Sequence, residues 1–254
     1  QPQAEPSPAE SFTPPSPDSS GAPDKNLVAR AFALGFLCHY MLDSTVHPLV
    51  FAQQNAICAQ GIQGIKGRRA SRAVHATIET ELDEYMMTTH LGTTVSEFVP
   101  HQSALRCSER YLEDISRRLA ATIRSTYETD CPSSLYTIAV HLSQAGQALL
   151  DSKGAGLRQT FDYLRPMGLA SAYVLSLSHK DEQRPNTAFA NSDHVPWPHP
   201  YVEGATFSVS FDELYAQARS RAKTAIERFG GADMGIEACR ELTCGVNFLG
   251  ATVG

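Results

Sequence analysis

The chain has 254 residues, of which 42% are hydrophobic and 19% are charged, and its net charge is −6 at pH 7. These values are typical of a globular domain, and the acidic balance argues against a broad basic surface for duplex nucleic acid. A phosphate-bearing substrate stays compatible with this charge, because bound metal ions would supply positive charge locally. The six cysteines are scattered without a C-x-x-C pair, which favours reduced thiols over a disulfide scaffold.

Residues 1–24 are predicted to be a disordered linker, and residues 25–254 a folded domain. The linker holds seven of the fifteen prolines and five serines, so it cannot bury enough apolar surface to offset its ordering entropy. The first residues, Gln-Pro-Gln, lack the basic and apolar regions of a signal peptide. This absence favours a cytoplasmic location, although an incomplete start of the chain would remove that argument.

Helical periodicity begins at Asp24, a predicted N-cap. The first helix carries Leu27 and Leu34 on its apolar face and is predicted to break near Pro48, because proline has no N–H to donate. Residues 29–52 form the most apolar stretch, but they contain histidines and an aspartate. A charge at bilayer depth is unfavourable, so no transmembrane helix is predicted.

Further helices follow along the chain, and the predicted class is an all-α, multi-helix bundle. Residues 178–209 contain several prolines and aromatics and predict an ordered loop. Ser210 with Glu213 three residues later matches a capping box at the start of a helix. The periodicity predicts helices over about Arg69–His90, Gln102–Tyr127, Pro132–Leu150, Leu157–Leu177 and Ser210–Phe229, with a short one after Gly231.

The first helix carries three candidate metal ligands, His39, Asp43 and His47, at positions i, i+4 and i+8. On an ideal helix such residues drift by only about 40° per step, so all three can face one pocket. Imidazole and carboxylate together are the ligands that zinc prefers. The alternative is a buried ion pair, with His39 donating to Asp43.

The second helix repeats this pattern with His75 and Glu79. Taken alone, Glu79 could equally face solvent, because the segment around it is acidic. Together with the first helix, one further imidazole and one further carboxylate would complete a four- or five-coordinate zinc site. The two pairs therefore predict a metal-dependent hydrolase.

The residues that carry these pairs resemble the zinc-dependent phospholipase C family, to which the single-strand-specific zinc nucleases are related. The resemblance covers about residues 28–228. It rests on A-L-G-F-L-C-H-Y-M-L-D-S-T-V-H-P at 33–48, H-A-T-I-E-T-E-L-D at 75–83, N-S-D-H-V-P-W-P-H-P at 191–200 and S-F-D-E-L-Y at 210–215.

The resemblance implies an all-helical fold with up to three zinc ions at the base of a cleft. In that scheme His39 and Asp43 hold one zinc and bridge to another, while His47, His75 and Glu79 hold the remaining zinc. Family members place the histidine after the proline, whereas His47 precedes Pro48. They also carry upstream ligands, but residues 1–38 contain no histidine, so the domain is expected to lack its N-terminal part. The residues present support one or two zinc ions, and they leave the general base unassigned.

The expected activity is phospholipase C-like hydrolysis of a phospholipid to diacylglycerol and a phosphorylated headgroup, with transient contact at a membrane surface. Asp193, His194 and Tyr40 are candidate substrate-binding residues. The alternatives are that His194 anchors a loop and that Tyr40 packs in the core. Two other functions remain open: a single-strand nuclease of the same zinc fold, and a non-catalytic helical module with a partial structural metal site.

Overall fold

The computed structural model describes residues 25–60, 68–98, 107–150, 187–231 and 235–253. Of these residues 72% are helical, which confirms the all-α prediction. The predicted linker over 1–24 and the predicted helix over 157–177 lie outside the described residues. No helix in the described ranges is long and apolar enough to cross a membrane.

The first helix, α1, spans Lys25–Gln60 without interruption, so the predicted break at Pro48 is wrong. Proline at this position leaves the carbonyl of Ser44 without its helical N–H partner. The backbone at Gly250 lies close to this point, since a Cβ added there would stand 2.9 Å from the Ser44 carbonyl oxygen. Leu49, beside the proline, is completely buried. The helix continues because tertiary packing on both sides of Pro48 outweighs the local preference of proline to end it.

The remaining helices keep the predicted order but differ at their starts. The predicted third helix begins at Glu109, because Ser108 is extended and acts as its N-cap; residues 101–106 lie outside the described ranges. Pro132 precedes the next helix and forms the turn before it. The helices are α2 (Arg68–His90), α3 (Val95–Phe98), α4 (Glu109–Tyr127), α5 (Leu135–Leu150), α6 (Phe211–Gly231) and α7 (Ile236–Thr243).

The predicted loop before α6 is ordered over residues 187–210 and contains a minimal β-hairpin. Strand β1 (Trp197–Pro198) pairs antiparallel with β2 (Thr206–Phe207), and the facing Trp197 and Phe207 rings stack at 5.4 Å. The capping box at the start of α6 is confirmed. Ser210 Oγ accepts from the backbone N–H of Glu213, and the Glu213 carboxylate accepts from the Ser210 backbone N–H at 2.8 Å.

Helix α1 lies at the centre of the fold and packs against both α2 and α6. The main core fills the space between these three helices, with Trp197 from the hairpin closing one side. A smaller cluster around Met41 joins α1 to α6 further towards the start of α1. The residues of the main core are Val46, Leu49, Val50, Ala52, Val74, Ile78, Leu82, Tyr85, Ala190, Trp197, Phe211 and Leu214. This packing fixes α1 against α2 where both carry their predicted metal ligands.

Candidate metal centre

The structure brings His47 from α1 together with His75 and Glu79 from α2. The Nε2 atom of His75 lies 3.1 Å from Glu79 Oε1, and the Nε2 atom of His47 lies 3.3 Å from the same oxygen. One ligand atom from each of the three residues lies within 4.8 Å of the others. In the described part of the chain, these three are the one group of this kind.

Each imidazole of this triad is held through its other ring nitrogen. His47 Nδ1 donates to the backbone carbonyl of Phe248 at 2.6 Å, and His75 Nδ1 donates to Gln54 Oε1 at 2.8 Å. Gln54 is itself fixed, because its Nε2 donates to Ser71 Oγ at 2.7 Å. Acceptors at both Nδ1 positions place the hydrogen there, so the Nε2 lone pairs point into the triad. Metal-bound histidines are usually oriented in this way.

The charges of the triad favour a cation between its members. Burial alone would lower the pKa of His47, but its hydrogen bonds to Glu79 and to the Phe248 carbonyl, with the nearby Asp43 charge, raise it. Burial would raise the pKa of Glu79, yet the hydrogen bonds and charges of His47 and His75 lower it to about 2. Glu79 is therefore ionised at neutral pH. Two imidazole nitrogens and a carboxylate that converge in this way need either a proton or a metal ion between them.

His39 and Asp43 form a separate pair one turn further towards the start of α1. His39 Nε2 lies 3.2 Å from Asp43 Oδ2; the histidine side chain is 61% exposed and the aspartate 19%. Burial raises the pKa of Asp43, and the charge of Glu79 raises it further, against the opposing effects of the three histidines. Asp43 thus lies within electrostatic range of all four other predicted ligands. The pair matches the ion-pair alternative and also places a carboxylate beside the triad.

The contacts of the predicted substrate-binding residues Tyr40 and His194 are made with residues outside the triad. Tyr40 is 8% exposed, and its hydroxyl donates to the carbonyls of Val246 at 2.6 Å and Thr243 at 3.3 Å. These contacts give it a structural role, since they hold the segment after α7 against α1.

The predicted loop residues Asp193 and His194 are both exposed. His194 Nδ1 donates to the Ser208 carbonyl at 3.0 Å and lies 3.5 Å from the Glu213 carboxylate. This histidine therefore anchors the loop to the start of α6.

Several residues beside the triad were not singled out in the sequence. Gln54 lies seven residues after His47 on α1, a helical spacing that could have identified it. The ring of Phe51 lies 4.8 Å from that of His75, and Tyr201 from the hairpin lies 6.1 Å from Phe51. No sequence signal points to Tyr201, because only the tertiary fold brings the hairpin to this end of α1.

The residues of the triad fit a zinc ion. Two imidazole nitrogens and one carboxylate oxygen are the protein ligands of many catalytic zinc sites, in which a fourth position stays open for water or substrate. Both imidazoles carry the outer hydrogen bonds that such a site requires. His47 belongs to the set although it precedes Pro48, because α1 continues through the proline and keeps His47 facing α2.

Comparison with known proteins gives no match to a family model, to a curated protein or to a solved structure.

Proposed function

We propose that the protein is a zinc-dependent phosphodiester hydrolase, with phospholipase C-like cleavage of a phospholipid as its reaction. The observation that carries this proposal is the convergence of His47, His75 and Glu79. Both imidazoles are held in orientation by a hydrogen bond from Nδ1. The resemblance of residues 33–48 and 75–83 to the zinc-dependent phospholipase C family supports the phosphodiester chemistry. A phospholipid substrate also implies transient contact with a membrane surface.

Each residue of the site has a part in this proposal. His47, His75 and Glu79 would hold one zinc ion, and Asp43 with His39 would extend the ligand set towards a second. Zinc in such a site polarises a phosphoryl oxygen and lowers the pKa of a bound water towards neutrality. Asp43 would be the general base of the site, because burial raises the pKa of its carboxyl and its Oδ2 lies 3.2 Å from His39 Nε2.

The first experiment measures zinc content and hydrolysis of phosphatidylcholine in the full chain and in the variant His47→Ala/His75→Ala. We expect the wild type to bind at least one zinc and the double variant to lose both zinc and activity. His141→Ala is the matched control. His141 contacts Glu109 at 3.0 Å in a similar histidine–carboxylate pair on α5 and α4, and its loss should leave both readouts unchanged.

The outcomes separate the candidate functions. Wild-type protein with less than one zinc per chain, unchanged in the double variant, would refute the metal centre. Zinc that is bound and stabilises the fold, without hydrolysis of any phosphodiester, would instead identify a structural metal site.

A nuclease acting on single strands is the second candidate, and the aromatic side chains beside the triad favour it. Phe51 contacts both His47 and His75, and Tyr201 extends this surface to His199. Nucleobases stack on such aromatic surfaces with about 1–3 kcal/mol per base. Parallel assays on phosphatidylcholine and single-stranded DNA, with Tyr201→Ala as the probe, distinguish the two. Loss of DNA cleavage in this variant with lipid cleavage retained would assign the surface to nucleobases.

A further inference from the structure

A concave surface lies between α1 and α6, and its lining includes His39 but none of the three triad residues. This groove has a volume of about 530 Å³, in the range of small-molecule sites. Leu42 of α1 and Ala218 and Ala222 of α6 form its apolar floor, and Ile226 extends it at one end. The two alanines lie one turn apart, so the groove follows α6 and is narrow.

Two exposed cationic side chains, Arg219 and Lys223, stand at the rim of this groove. They lie one turn apart on α6. In the part of the chain that the structure describes, neither has a carboxylate oxygen within 4.0 Å. Arg219 instead lies over the ring of Tyr215, 5.9 Å from its centre. Glu227 lines the groove beyond Lys223, and its negative charge directs an anion towards the Arg219 end.

We propose that the groove binds a single-chain amphiphile with a carboxylate head, of the fatty-acid type. The guanidinium of Arg219 presents a fork of donors that matches a carboxylate, and Lys223 adds a second positive charge. The apolar floor then takes one alkyl chain along α6 from Arg219 towards Ile226, over about 10 Å of helix.

This site is separate from the proposed phosphodiester chemistry. The triad lies between α1 and α2, whereas the groove lies between α1 and α6. Binding at the groove uses no metal ligand except the exposed wall formed by His39. Because His39 also belongs to the proposed ligand set, the groove proposal rests on the two cations and the apolar floor and not on His39.

Isothermal titration of the full chain with monomeric decanoate tests the proposal. We expect saturable binding of one decanoate per chain, at least tenfold weaker in the variant Arg219→Gln/Lys223→Gln. The neutral methyl decanoate and the short butyrate should bind at least tenfold more weakly than decanoate, because one lacks the charge and the other the chain. Arg228→Gln is the matched control, since Arg228 is exposed on α6 but points away from the groove, and its decanoate affinity should be unchanged.

Four results would overturn the proposal. The first is the absence of saturable decanoate binding to the wild type. The second is equal binding of decanoate and its methyl ester, since the two cations would then contribute nothing. The third is an equal loss of affinity in the control and in the double variant, which would indicate attraction to net charge and not a site. Decyl phosphate binding more tightly than decanoate would overturn the choice of a carboxylate head.

Discussion

The amide of Gln54 provides the sharpest test of the metal centre, because it touches the triad without being a ligand. It is 7% exposed, accepts the Nδ1 proton of His75 at 2.8 Å and donates to Ser71 Oγ at 2.7 Å. The variant Gln54→Leu keeps the volume of the side chain and removes both hydrogen bonds. His75 then loses the partner that fixes its ring orientation and its tautomer.

The expected magnitude follows from these contacts. Loss of an outer hydrogen bond to a metal-bound histidine usually weakens metal affinity by 10- to 100-fold, which is about 1.4–2.7 kcal/mol. Folding stability should fall by about 1 kcal/mol, because the Nδ1 group of His75 and the hydroxyl of Ser71 lose partners. Gln54→Glu restores an acceptor for Nδ1, so its zinc affinity should return to within about threefold of the wild type.

Zinc affinity is measured by competition with a chromogenic chelator at pH 7, and stability by urea unfolding of the metal-free protein. Gln53→Leu is the control, since Gln53 is the neighbouring amide but donates to the carbonyl of Phe189, away from the triad. The reasoning is refuted if Gln54→Leu binds zinc within twofold of the wild type, or if Gln53→Leu weakens zinc binding to the same extent.

Three further predictions concern the pH dependence of stability, the glycines with positive φ at 250 and 204, and the N-cap of α6 at Ser210. The lowered pKa of the Glu79 carboxyl (about 2 against 4.5) stabilises the metal-free protein above pH 4.5, and the raised pKa of the His47 imidazole stabilises it below pH 6.5. Urea unfolding should therefore show both contributions fully between these values. The Glu79 contribution should be lost as pH falls towards about 2, and the His47 contribution as pH rises through the raised pKa of the imidazole. Zinc affinity should increase over that rise, because the His47 proton must leave. Gly250→Ala should destabilise by about 2–4 kcal/mol, because φ is 78° and the new Cβ would stand 2.6 Å from a ring carbon of Pro48. Gly204→Ala, at φ 72° in open space, should lose only about 1 kcal/mol in the same measurement. Ser210→Ala removes an N-cap and should lower stability by about 1 kcal/mol in thermal unfolding, and an unchanged midpoint would contradict the capping box.

The helical class and most helix positions could be predicted because they depend on local patterns. Apolar residues at helical spacing located α2 to within a residue of its start, and Ser210 with Glu213 located α6. The break at Pro48 was predicted wrongly for a physical reason. The preference of proline acts within one turn, whereas the packing that keeps α1 intact comes from Gly250 and the core, which are distant in sequence.

The candidate site shows the same difference between local contacts and contacts that are distant in sequence. His75 and Glu79 share one helix face, so their spacing alone placed their side chains together. The hydrogen-bond partner of His47 Nδ1 is the backbone carbonyl of Phe248. Every residue has such a carbonyl, so the sequence cannot identify which one is used. Tyr201 reaches the triad only because the hairpin packs on the main core through Trp197. Contacts within a helix were thus accessible from spacing, and the approach of His47 to His75 and Glu79 was expected from the family resemblance, whereas the supporting contacts across the fold were not predicted.

The geometry around Glu79 also bears on which metal ion the site would select. Two nitrogen ligands and one oxygen suit zinc and neighbouring transition metals, whereas magnesium and calcium prefer oxygen ligands alone. The triad is already assembled by hydrogen bonds that do not involve a metal. Gln54 accepts from Nδ1 of His75, and the Phe248 carbonyl accepts from Nδ1 of His47. An ion that binds here therefore replaces the contacts between the imidazoles and Glu79 without reorganising the helices. Because Asp43 lies next to this set with a raised pKa, binding of the first ion should lower that pKa and favour the ionised carboxylate that a second ion requires.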